Sequence, residues 1–506
     1  MTRDAGAAPK RIATVMPRTA AAPPEYPVAL PPGSVVELSS QVRAFDGGRV
    51  LVGGAPPRLV RLTERARRLL RGGRIRLDAG GGQAAARLAT RLVALGMAHP
   101  VARELPPVDA ALVTVVVPVR DRVPQVERLL GALGGHLPVI VVDDASHEPE
   151  RRALARLATW HGARVLRLDT NVGPAGARNA GLRQVRTPYV AFVDSDVVVT
   201  PDALDTLLRH FHDDGLAAVA PRVLGLTDTG SGPRADWITR YEAARSSLDL
   251  GPRPALVRPG SRVSWVPSAC LVARAEAIRP GFDPALRVGE DVDLVWRLAA
   301  TGHRVRYEPE VTVHHDHRTR LVDWLGRKAY YGTGAHQLQL RHGTAIAPAA
   351  LTPWAAGVAA ALLAQRRWSV PIAAAVLASV TRGYAREQTA STAHPYRTAL
   401  SLAGLGLAGT AEQTAALMLR HWWPVTAAAC LVSRRARRAT VAVALADTVV
   451  EYRRLAPGLD PLRFTVARRL DDLAYGAGVW AGALRGRSTR CLLPRIQRRG
   501  AGKPRG

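Results

Sequence analysis

Two carboxylates one residue apart, Asp194-Ser195-Asp196, follow the apolar run VAFV. At a strand end such a pair can hold a hard divalent cation, Mg²⁺ or Mn²⁺, directly or through water. Coordination positions then stay open for phosphate oxygens. A second acidic pair, Asp143-Asp144, follows VIVV. There a carboxylate can accept from a base N–H or a ribose hydroxyl, or it can cap the next helix. The stretch Asn171-Val-Gly173-Pro-Ala-Gly176-Ala-Arg178-Asn179 combines glycines, which let backbone approach a ligand, with two side-chain donors. Gly289-Glu290-Asp291-Val-Asp293 opens a helical pattern, where acidic residues are favoured by the helix dipole. His314-His315-Asp316-His317 gathers imidazoles that can ligate a metal or a diphosphate. Val117-Pro118-Val119-Arg120-Asp121 turns from an apolar run toward a helix. Each feature alone has an ordinary explanation as a turn, a cap or a solvated acid.

The elements around these residues give the set its meaning. LVTVVV, VIVVDD, RVLRLD and YVAFVDSD are short β-branched runs. Amphipathic patterns such as VPQVERLLGAL and GPAGARNAGLRQV separate them. Apolar strands alternating with such helices predict an α/β unit with a parallel sheet covered on both faces. Ligands of such sheets bind beyond the carboxyl ends of the strands, which is where the polar residues fall.

The chain has 506 residues, which predicts two or three domains. Apolar residues make up 47% and exclude a disordered chain. The net charge of +29, almost all from arginine, suits nucleic acid, an anionic membrane face or phosphate-rich substrates. A compositional bias toward Arg, Ala and Gly explains it equally well. Three well-separated cysteines, Cys270, Cys430 and Cys491, have no metal-type spacing and fit a reducing compartment. The first fifteen residues have no apolar signal core, so a cytoplasmic location is expected.

Residues 1–33 read as a flexible arm. Residues 34–107 read as a small winged-helix-like module, with Thr63 capping a short helix. No helix with base-reading Asn, Gln or Ser is evident there, so peptide or intramolecular docking is expected ahead of nucleic acid. Residues 108–343 hold the chemistry. Residues 344–506 are rich in Ala and Arg, with uncharged stretches at 346–365, 369–380 and 424–432 beside Arg366-Arg367 and the Arg434–Arg438 cluster. Two readings fit, helices lying against the inner face of the plasma membrane, favoured slightly by the flanking arginines, or a soluble Ala-rich helical domain, with 346–365 a marginal candidate to span.

In order, the motifs resemble the family 2 GT-A glycosyltransferases over residues 108–343. VTVVVPVRDRVPQVERLL, VIVVDDAS, NVGPAGARNAGL, YVAFVDSD and FDPALRVGEDVDLVWRLAATGHRVRYEPE carry the likeness. It implies a metal-dependent transferase that uses a nucleotide sugar and inverts the anomeric centre. Pro118, Asp143, Asp144, Asn171, Gly173, Arg178, Asn179 and Asp194 would then face the donor. Asp194, Asp196 and His315 would hold the metal. Asp291 would be the general base, with Glu290 beside it. The N-terminal module, this core, the stretches HHDHR and WLGRKAYYGTGA, and HWWP, LVSRRARR, LDPLRF and RRLDDLAYGAGVWAGALR in the tail carry a closer likeness, over nearly the whole chain, to the mycofactocin-system glycosyltransferases. That family implies UDP-glucose as donor, a peptide-derived redox cofactor precursor as acceptor and a short β-glucan as product. A membrane-associated transferase acting on a lipid or cell-wall glycan is the alternative. The QxxRW motif of processive polysaccharide synthases is absent, with Arg327-Lys328-Ala-Tyr330-Tyr331 the nearest stretch, so a long polymer is not expected.

Overall fold

A computed structural model describes residues 28, 30–78, 82–226, 237–316, 320–388 and 394–497. Most of the expected arm and His317 lie outside these residues.

The first unit builds on β1 (Val35–Leu38), β2 (Arg43–Phe45), β3 (Val50–Gly53) and β4 (Arg58–Arg61). It continues through α1 (Glu64–Leu69), β5 (Arg74–Arg76), α2 (Gly82–Ala94) and β6 (Ala98–Pro100). Two three-stranded sheets result, in the orders β5-β1-β6 and β2-β3-β4. Thr63 caps α1 by accepting from the Ala66 N–H at 3.2 Å. Val36, Leu51, Ile75, Ala89 and Leu92 close its core.

The central unit runs β7 (Val113–Val119), α3 (Val123–Leu133), β8 (Val139–Asp144), α4 (Glu150–Trp160), β9 (Arg164–Leu168) and α5 (Gly173–Leu182). It continues β10 (Tyr189–Val193), β11 (Val197–Val198), α6 (Pro201–Leu208), β12 (Leu216–Gly225), α7 (Trp237–Arg245) and β13 (Ala255–Leu256). It ends β14 (Cys270–Arg274), α8 (Glu290–Ala300), β15 (Arg304–His315) and α9 (Leu321–His342). These strands form one sheet in the order β11-β15-β12-β14-β10-β7-β8-β9, with β13 against β15. Two apolar layers cover its faces, one around Val115, Leu129 and Leu204, the other around Val116, Phe192 and Leu294. The expected parallel pairing holds through β9-β8-β7-β10. Beyond β10 the sheet is mixed, because β14 runs against both β10 and β12. The chain reaches β14 from β12 through α7 and a long irregular segment, not through the helical crossover that parallel neighbours need. β7, β8, β10, β12 and β15 therefore all end at one rim, and β14 begins there.

The remaining helices are α10 (Pro353–Leu363), α11 (Ser369–Gln388), α12 (Pro395–Ala416), α13 (Trp423–Val432), α14 (Arg434–Leu455) and α15 (Pro461–Arg485). A two-stranded pair, β16 (Ala350–Leu351) and β17 (Arg495–Ile496), joins the two ends of this region. α15 lies along α9 so closely that a Cβ on Gly478 would sit 1.8 Å from the Ala329 carbonyl oxygen. Residues 346–365 do not make a spanning helix, as α10 has only 11 residues. Such a helix is about 16 Å long against a hydrocarbon core of about 30 Å. Pro348 and Pro353 interrupt the uncharged run, each lacking the N–H a continuing helix requires. Among the described residues no helix is long and apolar enough to cross a membrane.

Candidate active site

The rim collects nearly every residue singled out above, in two clusters. The first centres on Arg178. Its side chain is only 3% exposed and bridges Asp194 Oδ1 at 2.5 Å and Glu290 Oε1 at 3.0 Å. The guanidinium also lies over the Phe282 ring, 5.3 Å from its centroid. Burial disfavours the Arg178 charge, but Asp194, Glu290 and Asp291 more than reverse this and hold its pKa above the usual arginine value. Arg178 thus ties α5 to the end of β10 and to the start of α8. It was expected to face the donor, but it is covered by the carboxylates it orders.

Asp291 follows Glu290 in the first turn of α8, whose entry is Gly289 at φ 82°. Burial, then the adjacent Glu290 carboxylate, push the Asp291 carboxyl up to about 7. The Val292 N–H, donated at 2.8 Å, and the Arg178 charge limit that rise. A carboxylate that exchanges its proton near neutral pH is suited to accept one from a hydroxyl.

The second cluster centres on Asp196. Its Oδ2 touches Arg122 NH1, and its Oδ1 lies 3.5 Å from His315 Nε2. β11 makes this meeting by pairing Val197 with His315. Burial alone would raise the Asp196 pKa, but His315 and Arg122 hold it below the ordinary carboxylate value. Asp196 and His315 come together here, whereas Asp194 Oδ1 is held by buried Arg178. Among the described residues no three His, Cys, Asp or Glu side chains are gathered as a metal cluster. An oxygen and an imidazole nitrogen still fit Mn²⁺, and they fit Mg²⁺ if diphosphate and water complete the octahedron.

The expected donor-facing residues divide by what already holds them. Asp144 accepts from the Val172 and Gly173 N–H groups at 2.7 and 2.9 Å, so its two oxygens fix the turn into α5. Gly173 sits there at φ 78°, a conformation that favours glycine. Asn171 braces the same turn through Oδ1, 2.9 Å from the Gly173 nitrogen. Asp143 Oδ1 accepts from the Ser146 N–H at 2.9 Å. Asn179 corrects the expectation of a free donor. Its amide donates to the Phe282 carbonyl at 2.7 Å and accepts the Phe282 N–H at 2.9 Å, which fastens the loop before α8. Pro118 is buried within β7 beside Val142, and the residues that emerge after it are Arg120, Asp121 and Arg122.

Arg122 was missed by sequence reasoning, although it stands one residue beyond the Val117–Asp121 turn. Two arginines flanking an aspartate at a strand-to-helix turn were the available signal. Beside the Asp196 cluster lies a cavity of about 650 Å³, lined by Arg122, Arg128, Asp196, His315, Lys328 and Tyr331 among others.

The glycosyl transferase family 2 model matches residues 114–257. The glycosyl transferase family group 2 model matches residues 189–429. The chain is 42% identical over 484 residues to a pre-mycofactocin glycosyltransferase of Mycobacterium tuberculosis, covering 92% of this chain and 99% of that one. It is 31% identical over 191 residues to the succinoglycan biosynthesis protein ExoO of Rhizobium meliloti, 36% of this chain and 53% of that protein. Among solved structures, a mannosyltransferase from Pyrobaculum calidifontis in complex with GDP-Man and Mn²⁺ is 21% identical, covers 61% of this chain and 88% of its own, and has a TM-score of 0.36. With a match at that identity over nearly its whole length, the chain belongs to the family 2 glycosyltransferases, in the group of the pre-mycofactocin glycosyltransferases.

Proposed function

We propose that the chain transfers glucose from UDP-glucose, with inversion, to a hydroxyl of a peptide-derived redox cofactor precursor, building a short β-glucan. What supports the acceptor reading is the 42% identity to the pre-mycofactocin glycosyltransferase, and what supports the mechanism is Asp291 in the first turn of α8, beside the Glu290 that Arg178 ties to Asp194. Asp291 accepts the acceptor hydroxyl proton while that oxygen bonds to the anomeric carbon. The bond from that carbon to the diphosphate breaks, and UDP leaves. Asp143, Asn171 and the turn at Gly173 would face the nucleoside. Arg178 keeps Asp194 and Glu290 in place behind the reacting groups. Asp196 and His315 would hold a divalent cation, which supplies positive charge to the departing diphosphate when bound.

The first unit would dock the peptide part of the acceptor. A cavity of about 370 Å³ with Leu38, Leu51, Leu62 and Leu70 on its walls and Arg67, Arg68 and Arg71 around it supports that role. The last helices would rest on the inner membrane face of a cytoplasmic enzyme. Leu431 and Val432 are 83% and 87% exposed beside the Arg434–Arg438 cluster, a pairing that suits an anionic interface. The same exposed residues favour a second reading, in which the acceptor is a lipid or cell-wall glycan.

Incubation with UDP-glucose, Mn²⁺ and either a peptide or a lipid-linked acceptor separates these readings. UDP release with a β-linked glucosyl peptide supports the first. Transfer only to the lipid acceptor supports the second. An α-linked product contradicts the inverting mechanism.

A further inference from the structure

Asp196 meets a positive group at Oδ2 and an imidazole at Oδ1. The Arg122 guanidinium at Oδ2 stands across one carboxylate from the Oδ1–His315 side where a divalent cation would sit. A guanidinium and a dication sharing one carboxylate repel each other strongly. The two partners differ in freedom. The Asp196 side chain is 16% exposed, and its main-chain oxygen accepts from the Asp316 N–H at 3.0 Å. Arg122 is 36% exposed, makes no side-chain cap to α3, and faces the cavity of about 650 Å³. Arg122 is therefore the partner able to move. Its neighbour Arg128, which also lines the cavity, is held by Asp316 at 2.6 Å. Asp121 is engaged by the His147 N–H at 2.7 Å and by the His147 ring at 2.8 Å. A displaced Arg122 would thus leave its carboxylate partner with its neighbours already committed. The negative charge that enters with a nucleotide donor is its diphosphate, and a guanidinium matches phosphate oxygens well.

We infer that Arg122 is an exchangeable cation. It neutralises Asp196 in the metal-free enzyme and moves to the donor diphosphate when a divalent cation takes its place. The inference rests on the metal reading given above. Its consequence is a coupled order of binding. Metal alone binds weakly because it must displace Arg122 into solvent. Metal with nucleotide binds well because Arg122 gains a phosphate partner. By reciprocity, nucleotide strengthens metal binding by the factor with which metal strengthens nucleotide binding.

The test needs no turnover. Mn²⁺ binding is followed by electron paramagnetic resonance in the full chain, with and without UDP, for wild type, Arg122→Ala and Arg122→Lys. Arg122→Ala is expected to bind Mn²⁺ alone roughly 5-fold tighter or more, the lower range of ordinary coupling between sites. UDP in the presence of Mn²⁺ should bind it several-fold more weakly than wild type. Arg122→Lys should stay near wild type for Mn²⁺ alone, which also supplies a folded variant if Arg122→Ala is unstable. In that event, Arg122→Gln must show the tighter Mn²⁺ binding. Unchanged or weaker Mn²⁺ binding without nucleotide, in a folded variant lacking the charge, overturns the exchange alone. Absence of Mn²⁺ binding in every form, with or without UDP, overturns the exchange together with the metal reading.

Discussion

Two regions of this molecule are built from the same materials, buried arginines among carboxylates, and behave in opposite ways. At the rim, Arg178 faces Asp194, Glu290 and Asp291, and the carboxylates outnumber it. One of them, Asp291, is driven up to about 7. Where α7, α9 and α15 meet, Asp471 is 1% exposed and is approached by Arg245 at 3.0 Å, Arg420 at 3.6 Å and Lys328 at 3.8 Å. Burial would raise its pKa, but Lys328, Arg420 and Arg245 together hold it below the usual carboxylate value. Asp447 is likewise held low by Arg468 and Arg469, which lie 2.6 and 2.5 Å away. A carboxylate approached by several cations becomes a fixed anchor between helices. An excess of carboxylates leaves one of them ready to take a proton. Burial raises both Asp291 and Asp471, and the charges beside each decide whether that rise survives.

The largest way to break this contrast is Asp291→Asn. Asn is close to Asp in shape and keeps an Oδ1 to accept from the Val292 N–H, so the fold should survive. Glycosyl transfer, followed as UDP release, should fall by roughly a hundred- to ten-thousand-fold. The folded pKa of Asp291 lies above its ordinary value of 3.8, so the native state keeps a proton that the unfolded chain has lost between 3.8 and about 7. Its contribution to stability therefore falls as pH rises through that window and is flat above it. Thermal melts of Asp291→Asn should lack this decline. A variant that keeps transfer within a few-fold reduces Asp291 to a structural role in the first turn of α8.

Asp471→Ala should act the other way. It removes one shared partner and leaves Lys328 with Glu242, Arg245 with Glu451 and Arg420 with Asp472, and should lower stability by about 1–3 kcal/mol in denaturant unfolding. UDP affinity of the molecules that stay folded should be unchanged. A selective loss of UDP affinity at full stability would place the junction in the donor site. The smallest and most specific effect belongs to Glu290→Gln. Its charge is the second cause of the raised Asp291 pKa, after burial. The acid limb of the rate profile should move to lower pH, and an unmoved limb would show that Glu290 does not tune Asp291.

The strands and the order of motifs were legible because each carries its own local signal. VTVVVPV is buried at every position, as a strand covered on both faces requires. The acids after β8 and β10 fall at the rim because strand ends do. The division of labour among the rim residues was not legible. Whether Asn179 faces a ligand or a carbonyl depends on Phe282, 103 residues away. Arg178 could not be seen as a buried bridge before α8 was brought against α5, since Glu290 lies 112 residues further on. The spanning helix suggested by residues 346–365 rested on the lack of charge, and the prolines within that run decided against it.

The account depends most on Asp291 as the base of the transfer. The direct test is kcat/KM for UDP release against pH, measured with saturating Mn²⁺ and the acceptor. The rate should rise with pH along a single limb centred near 7, about tenfold per unit on the acid side, because only the deprotonated carboxylate can accept the hydroxyl proton. A rate that is flat from pH 5 to 8, or a limb near 7 that persists unchanged in Asp291→Asn, would contradict it.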